Sequence, residues 1–584
     1  MAKQSLEEIK RNSRGLRGRI AATINSGATH MEEAELQLMK FHGSYQQDNR
    51  DVRSERRKQQ LEKAWAFMVR SKMPGGRITA EQYLVHDRLA GEVGCGSLRL
   101  TTRQGIQLHG VLIGNVKTVI SKINQSGLTT LGACGDVVRN TTNVAAPIKD
   151  AVHRDCQILA EEITQTFLAK TRSYADIWLD GEKLGSLSEG DPSKDPEESV
   201  YGKTYLPRKF KIAIAVPPRN DVDIFSNDVA MAVHAPDGEI EGYTLWIGGG
   251  LGMTHGKEET RPHLAKPFAY VERHQVVEVL KGIVAVQREY GNRANRRMAR
   301  MKYLVQNTTM AWFRNAVKQR VSEEITLHNP KEVVFDSVSD LMGWHEQGDG
   351  KFFRGVYIAQ GRIEDVTGGV QYRSGLRAVA ETWGFPFNMT ANCNLYICEV
   401  PEEKKGEVDR ILSEHGFPDD TALTAMRQVA HACVALPTCG LALSESERTF
   451  ASEVLDPVDD ILRDLGLENE SLLIRMTGCP NGCARPYNAD IAFVGRSPGK
   501  YALYVGGSHR GDRLAGLYKK VVTSEEIPEV MREILEDFVK NRQGDESFTD
   551  FWGRTKEKGQ EPDVSHFHVE LEARVAAAAA QSGD

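Results

Sequence analysis

The sequence predicts a fold of mixed strands and helices, built as two similar halves around a pseudo-twofold axis. In the stronger of two internal echoes, GYTLWIGGGLGM at 242–253 matches KYALYVGGSHRG at 500–511. Each stretch predicts a strand and a glycine turn, followed by a linker and an amphipathic helix. A weaker echo relates the stretches that begin GGRI at 75 and QGRI at 360, where chance similarity is the alternative. The period is too long for a solenoid, so we predict an internal duplication.

Three stretches predict individual elements of this fold. GSLRLTTRQGIQLHG (96–110) alternates side-chain character with period two over much of its length, which predicts a strand. VKTVISKINQSGL (116–128) predicts a helix that ends at its glycine. HQVVEVLKGIVAVQREY (274–290) predicts a longer helix that ends at Gly291.

The two ends of the chain differ from the rest in composition. Residues 1–60 are charged and favour helix. A solvated helical extension is the simpler interpretation, and an arm that docks a partner is the alternative. Residues 556–584 close with an alanine run and polar residues, which predicts a disordered tail.

Composition and charge exclude several classes of protein. The 584 residues are enough for several domains, and 40% hydrophobic with 26% charged residues is typical of a globular protein. A net charge of -6 disfavours a general nucleic-acid binder. No apolar run approaches the roughly 20 residues that span a bilayer, and the N-terminus lacks a hydrophobic signal core. We therefore expect a cytoplasmic protein with no membrane partner.

The nine cysteines divide into two groups. Without an export signal, an odd and scattered set disfavours a disulfide framework. Five lie in apolar or strand-like surroundings and are expected to be buried and inert: Cys95, Cys134, Cys156, Cys393 and Cys398. The other four form two close pairs, CVALPTC with Cys433 and Cys439, and TGCPNGC with Cys479 and Cys483. The first spacing is too wide for a zinc knuckle, so four thiolates favour a [4Fe–4S] cluster, with zinc as the alternative.

Basic residues recur near glycine- or proline-rich segments. Four residues at even spacing would share one strand face: Arg99, Thr101, Arg103 and Gln107. Such a face suits carboxylates or phosphates, and an exposed polar face is the alternative. In LPRKFK, Arg208 precedes Lys209 and Lys211, and the two lysines would project from the same face of a predicted strand. Arg70 and Arg139 border apolar or Gly/Pro-rich segments, and each taken alone is a surface charge.

Taken together, these motifs resemble the sulfite/nitrite reductase haemoproteins. The likeness rests on TGCPNGC with CVALPTC, RLTTRQ, LPRKFK and the IGGG turn, and it runs from about residue 42 to 542. It implies a three-domain α+β fold with an internal duplication. The implied division has an N-terminal extension at 1–60 and two ferredoxin-like half-domains at 61–145 and 346–415. It also has a sirohaem- and substrate-binding domain at 146–345, a [4Fe–4S]/sirohaem domain at 416–555 and a tail at 556–584.

The resemblance also implies two cofactors, a [4Fe–4S] cluster and sirohaem. Cys433, Cys439, Cys479 and Cys483 would ligate the cluster, and Cys483 would also be the proximal thiolate of the sirohaem iron. The carboxylates of sirohaem would be held by Arg99, Thr101, Arg103, Gln107 and Arg208. The distal basic residues that attract the anion and deliver protons would be Arg70, Arg139, Lys209 and Lys211.

The implied reaction is six-electron reduction of sulfite to sulfide in sulfate assimilation and cysteine biosynthesis. Nitrite reduction with the same cofactors is the alternative, and the second lysine, Lys211, favours sulfite. A remote alternative is a metal-stabilised interaction protein whose basic segment NRANRRMARMKY (292–303) contacts nucleic acid. No G-x-G-x-x-G follows a predicted strand, so electrons must come from another protein. An NADPH-dependent flavoprotein is the favoured donor and ferredoxin is the alternative.

Overall fold

The computed structural model describes residues 4–171, 173, 176–179, 182–186, 197–257 and 259–555. Strands and helices are mixed along the chain, as the sequence predicts. Within these residues, no helix has both the length and the apolar character needed to cross a membrane. The predicted tail at 556–584 lies outside the described residues.

The first sheet has five strands in the order β1-β2-β5-β4-β14. Its strands are β1 (Ser44–Asp48), β2 (Trp65–Arg70), β4 (Leu98–Leu100), β5 (Ile106–Val111) and β14 (Arg362–Ile363). The helices of this half are α5 (Ala80–Glu92) and α6 (Ile113–Gln125). The α6 helix buries Val116, Val119 and Ile123 against the sheet, and it ends just before Gly127, close to the predicted position.

The second sheet repeats this arrangement in the order β12-β13-β16-β15-β3. Its strands are β3 (Arg77–Ile78), β12 (Gly343–Glu346), β13 (Lys351–Val356), β15 (Phe387–Met389) and β16 (Leu395–Pro401), and its helices are α11 (Tyr372–Trp383) and α12 (Lys405–Glu414). Each half lends a two-residue Arg-Ile strand to the other half's sheet, since β14 pairs with β4 and β3 pairs with β15. This reciprocal exchange is the pattern of a pseudo-twofold axis, and the predicted duplication is confirmed.

Two predicted boundaries cut through these sheets. The β1 strand falls inside the predicted 1–60 extension but pairs along its whole length with β2. The β12 strand falls inside the predicted 146–345 unit but pairs with β13. Because β1 begins at Ser44 and β12 at Gly343, the boundaries at 60 and 345 separate these strands from the sheets to which they belong.

The third and fourth sheets contain the stronger sequence echo. The third, in the order β11-β10-β9-β8, has β8 (Ile212–Ala215), β9 (Val229–His234), β10 (Gly242–Ile247) and β11 (Lys266–Glu272), with α7 (Ala151–Thr166), α8 (Val276–Tyr290), α9 (Met301–Gln306) and α10 (Met310–Lys318). A separate hairpin pairs β6 (Asp176–Leu179) with β7 (Glu182–Ser186). The α8 helix ends before Gly291, as predicted.

The fourth sheet has the order β17-β18-β19-β20-β21. Its elements are β17 (His431–Ala432), β18 (Ile474–Thr477), β19 (Ile491–Ser497), β20 (Lys500–Val505) and β21 (Gly516–Thr523), with α13 (Ala425–Val429), α14 (Glu447–Thr449), α15 (Asp456–Asp464), α16 (Ile527–Asn541) and α17 (Phe548–Thr555). In both echoed units the predicted linker contains a further strand, β11 or β21, before the helix.

The N-terminal segment is packed against the molecule and is not a solvated extension. It contains α1 (Leu6–Arg11), α2 (Ile20–Asn25), α3 (Glu33–Met39) and α4 (Arg53–Lys58). Ser5 and Glu8 form a capping box that begins α1. Leu16 and Phe41 are buried in the same core cluster as β8 and α8. The solvated interpretation is therefore wrong for α1 and α3, which bury side chains, whereas α2 and α4 bury none.

Candidate active site

A cavity with a volume of about 400 Å³ lies where the first, third and fourth sheets meet. Its wall contains eleven cations: Arg70, Arg103, Arg139, Arg208, Lys209, Lys211, Arg296, Arg297, Arg300, Lys302 and Arg485. No carboxylate belongs to the wall in the described part of the chain. Cys483 and Thr101 also line it. Like charges crowded into one cavity repel, so the arrangement is suited to a polyanion.

The RLTTRQ motif forms a hairpin, so the single predicted strand is wrong. The β4 strand ends at Leu100 and β5 begins at Ile106, and the turn between them carries Thr101 and Arg103 to the cavity. Thr101 Oγ1 accepts from the backbone N–H groups of Arg103 (3.3 Å) and Gly105 (3.2 Å), which fixes the turn. Even spacing cannot place Arg99 and Arg103 on one face, because the chain reverses between them.

Arg99 is directed away from the cavity. Its Nε donates to Glu447 at 3.1 Å, and its Nη2 donates to the carbonyl of Ala432 at 2.7 Å. Glu447 also accepts from Arg362 Nε at 2.6 Å, and these two guanidiniums hold the pKa of its buried carboxyl down at about 2. The predicted contact between Arg99 and a cofactor carboxylate has no support in this arrangement, since Arg99 joins the exchanged strand to the fourth sheet.

Gln107 also lies outside the cavity wall, opposite Arg99 in the hairpin register. With its amide oxygen turned towards Arg70, it accepts from Arg70 Nε at 3.1 Å. Arg70 Nη1 lies 2.9 Å from Cys134 Sγ. Gln107 therefore orients a cavity arginine and does not itself reach the cavity.

Arg103 and Arg139 are held by backbone carbonyls. Arg139 Nε donates to Gly135 O at 2.8 Å. Arg103 donates to Ile212 O at 2.9 Å and to Asn227 Oδ1 at 2.6 Å. Carbonyl and amide partners fix the direction of a guanidinium without neutralising it, so both side chains keep their charge for the cavity.

Lys209 and Lys211 both line the cavity, as the sequence predicts. The strand itself begins one residue later, at Ile212. Burial, with Arg300 and Arg208 nearby, lowers the pKa of Lys209 to about 7. Burial and the charge of Lys209 lower the pKa of Lys211 well below its ordinary value. An anion placed between these side chains would raise both pKa values again.

The sequence does not predict that the cations around α9 line the cavity, although these residues stand out as a basic segment. In the remote alternative the basic segment 292–303 contacts nucleic acid, whereas in the structure several of its residues line the cavity. Arg296 forms a two-bond ion pair with Asp136 at 2.8 and 3.0 Å, and Arg300 pairs with Asp228 at 2.8 Å. Both arginines line the cavity. Asp136 lies 3.6 Å from Lys10 of α1, so the N-terminal segment supports this wall.

The two cysteine pairs come together because β17 and β18 are parallel neighbours. The loops that follow these strands leave the same edge of the sheet, one with Cys433 and Cys439 and the other with Cys479 and Cys483. The backbone N–H of Gly478 donates to Cys433 Sγ at 3.3 Å. Burial, followed by the charge of Cys483, raises the pKa of Cys433 to about 12. The hydrogen bond from Gly478 places the start of the second cysteine loop against Cys433.

The arrangement of the thiols bears on the alternatives for the cysteines. Among the described residues, no three Cys, His, Asp or Glu side chains are placed to share a single metal ion. All nine cysteines are free thiols, which disfavours disulfides. Of the five cysteines expected to be buried, Cys95 is exposed, so that prediction is wrong for it alone.

The arginines that flank TGCPNGC form a buried clamp with Asp223. Arg475 Nη1 lies 3.1 Å from Asp223 Oδ2 and 3.1 Å from the carbonyl of Arg485. Arg485 Nη1 lies 3.2 Å from the same Asp223 oxygen. Asn488 Nδ2 donates to the other oxygen of Asp223 at 2.7 Å. Arg475 therefore ties the start of the cysteine loop to its end, and Asp223 anchors both to the third sheet.

The residues present suit the two cofactors that the resemblance implies. An acid-free cavity with eleven cations matches the charge of a macrocycle that carries many carboxylates. Arg485 lines this cavity, and among the described residues its buried Nε has no hydrogen-bond partner, while Nη1 has only the ion-pair contact with Asp223. Four clustered thiols suit an iron–sulfur centre. The turn also touches the cysteine loop, because Thr102 Oγ1 donates to Cys483 O at 3.3 Å.

Two family models match the chain. The nitrite/sulfite reductase ferredoxin-like half domain matches residues 59–126, which contain most of the first sheet. The nitrite and sulphite reductase 4Fe-4S domain matches residues 160–325, which contain the third sheet and precede the four clustered cysteines.

Curated relatives are similar over almost the whole chain. The sulfite reductase [NADPH] hemoprotein beta-component of Staphylococcus saprophyticus is 42% identical over 96% of this chain and 97% of its own. The protein of the same name from Geobacillus thermodenitrificans is 43% identical with the same coverage. The one from Methylobacterium nodulans is 43% identical over 93% of this chain and 89% of its own. Among solved structures, the Mycobacterium tuberculosis NirA protein covers 94% of this chain and 96% of its own with a TM-score of 0.74 at 23% identity, which supports the fold.

Proposed function

Because the chain belongs to the family of the sulfite reductase [NADPH] hemoprotein beta-components, we propose that it reduces sulfite to sulfide by six electrons. The observation that carries the proposal is the acid-free cationic cavity that Cys483 lines. Such a cavity can hold an anionic macrocycle and an anionic substrate next to a thiolate. Nitrite reduction remains the second candidate, since nitrite is also an anion.

Sirohaem coupled to a [4Fe–4S] cluster would supply the iron at which sulfite binds and the electrons that reduce it. Cys433, Cys439, Cys479 and Cys483 would hold the cluster, and Cys483 would face both centres. Arg103, Arg208 and Thr101 would hold the carboxylates of the macrocycle, together with Arg296, Arg300 and Arg485. Arg99 and Gln107 do not line the cavity. They would act indirectly, through contacts that fix the position of the residues around it.

The distal residues would bind the anion and supply protons. When a bound anion raises the pKa values of the two lysines again, Arg70, Arg139, Lys209 and Lys211 contribute four positive charges to one cavity, and sulfite is partly dianionic at neutral pH. A lysine whose pKa lies near 7 can release a proton when an oxygen leaves as water, which a lysine in open solvent does less readily. Four of the cavity cations, Arg103, Arg139, Arg296 and Arg300, are already fixed by backbone, amide or carboxylate partners, so they stabilise developing charge with little rearrangement.

Three measurements on the purified protein test this function. A visible spectrum should show a haem-type Soret band, and iron and acid-labile sulfide should be present in the protein. With reduced methyl viologen, sulfite should be converted to sulfide. A colourless protein that contains zinc, or a coloured protein without sulfite turnover, would reject the proposal.

Lys211→Asn should shift the preference from sulfite towards nitrite. Asparagine keeps a hydrogen-bond donor but removes the positive charge and the acidity of the lysine. Stabilisation of sulfite, the more highly charged anion, should therefore fall more than that of nitrite. We expect kcat/KM for sulfite to fall about ten-fold or more, which corresponds to about 1.4 kcal/mol of barrier, and nitrite to suffer less. Steady-state rates on both anions measure this. Equal losses would assign Lys211 to cofactor binding.

The electron donor would be an NADPH-dependent flavoprotein. The names of the relatives carry both NADPH and the term beta-component, which implies a second component that handles the nucleotide. This chain lacks a nucleotide-binding fingerprint, which agrees with that division of labour. Ferredoxin is the alternative donor, and the cytoplasmic location stays a prediction.

A further inference from the structure

The stretch that follows β1 lies over the loop that carries Cys439. Arg50 Nη1 donates to the carbonyl oxygens of Cys439 (3.1 Å) and Ala442 (2.6 Å). The backbone N–H of Arg50 donates to the carbonyl of Pro437 at 3.1 Å. Asp51, the next residue, pairs with Arg448 of the fourth-sheet unit at 2.6 Å. These contacts fix the start of α4 beside the cysteine loop.

The cysteine loop reaches the surface at this place. Leu441, two residues after Cys439, is 63% exposed, and Val52, two residues after Arg50, is 40% exposed. A single exposed apolar side chain is ordinary on a protein surface. The charges around Leu441 therefore decide whether this part of the surface differs from an ordinary protein surface.

The stretch that packs on this loop has an excess of positive charge although the chain has a net charge of -6. Residues 49–63 contain six Arg or Lys and three Asp or Glu. Among the described residues, Arg57 forms no ion pair, and Lys58 has only a long contact of 3.9 Å with Glu55. On the other side of the loop, the turn between β19 and β20 brings Lys500 close, since Gly499 N–H donates to Ser444 Oγ at 3.2 Å.

We propose that this donor surface, defined by Arg57, Lys58, Leu441 and Lys500, docks an acidic, flavin-bearing electron-donor protein. The inference rests on the proposed function and names the place where its partner binds. A flavin is required because NADPH gives up electrons as a hydride pair, whereas an iron–sulfur cluster accepts them singly. Opposite charges steer the two proteins together and set their orientation, and Leu441 supplies an apolar contact next to a ligand loop.

The test compares two ways of reducing the same holoenzyme. In Arg57→Glu/Lys58→Glu, the flavoprotein concentration that gives half-maximal NADPH-driven sulfite reduction should rise at least ten-fold. The rate with reduced methyl viologen should stay within two-fold of wild type, because a small donor needs no docking surface. Added salt should weaken flavoprotein-driven turnover of wild type more than that of the variant.

A matched control carries the same change in net charge elsewhere. Lys281→Glu/Lys540→Glu alters two exposed lysines on the outer helices α8 and α16, and it should behave as wild type with both donors. The docking proposal is overturned if the two double variants lose flavoprotein coupling equally, if neither loses it, or if methyl viologen turnover falls in parallel. Failure of wild type to reduce sulfite with methyl viologen would instead reject the proposed function.

Discussion

Replacing Cys483 by serine is expected to abolish sulfite reduction and to remove the coupled cofactor. Cys483 lines the cavity and influences the pKa values of Cys433, Cys439 and Cys479, so it lies where the cysteine cluster meets the cationic wall. A serine hydroxyl is a poor ligand for a soft iron–sulfur centre and cannot serve two metal centres at once. Activity, iron content and the visible spectrum of the purified variant measure the loss.

Cys95→Ser is the matched control for this change. Cys95 is exposed like Cys483 but lies in the first half, away from the cavity wall. The control should keep full iron, full colour and full activity. Normal iron and sirohaem content with full activity in Cys483→Ser would contradict the assignment of the shared thiolate.

Sequence reasoning succeeded where a local pattern was sufficient. The helix at 276–290, the helix at 113–125 and the paired cysteine motifs were all evident from periodicity and spacing. The duplication was evident because the second half repeats the glycine turn of the first. The cavity lysines were also found, since Lys209 and Lys211 are only two residues apart.

The failures have two causes, a local turn and contacts that are distant in sequence. A period-two pattern continues through Gln104, whose φ of 51° lies in the turn, so the hairpin resembled one strand. Arg99 meets Glu447 across 348 residues, and no local pattern reveals that partner. The basic segment 292–303 looked like a nucleic-acid patch because its carboxylate partners, Asp136 and Asp228, lie far away in the chain.

The clamp around Asp223 yields the second prediction. Asp223, Arg475 and Arg485 are almost completely buried, and a single carboxylate pairs with both guanidiniums. Asp223→Asn removes that charge while keeping a side chain of the same shape. Asparagine also tolerates the left-handed backbone of this position, whose φ is 53°, so the substitution isolates the charge.

Asp223→Asn should destabilise the fourth-sheet unit by about 3–5 kcal/mol, because two buried guanidiniums lose their only shared counter-charge. The urea midpoint of unfolding should fall, and the cluster absorbance should be lost at correspondingly lower urea concentrations. The double variant Asp223→Asn/Arg475→Gln removes one of the two guanidiniums that lose their counter-charge, so it should recover part of the lost stability. The effects of the two substitutions on stability should therefore not be additive. Exposed Asp237→Asn should leave both midpoints unchanged. If Asp223→Asn has the same urea midpoint as wild type, the clamp does not hold the cysteine loop. The same conclusion follows if the stability lost in the double variant equals the sum of the losses in the two single variants.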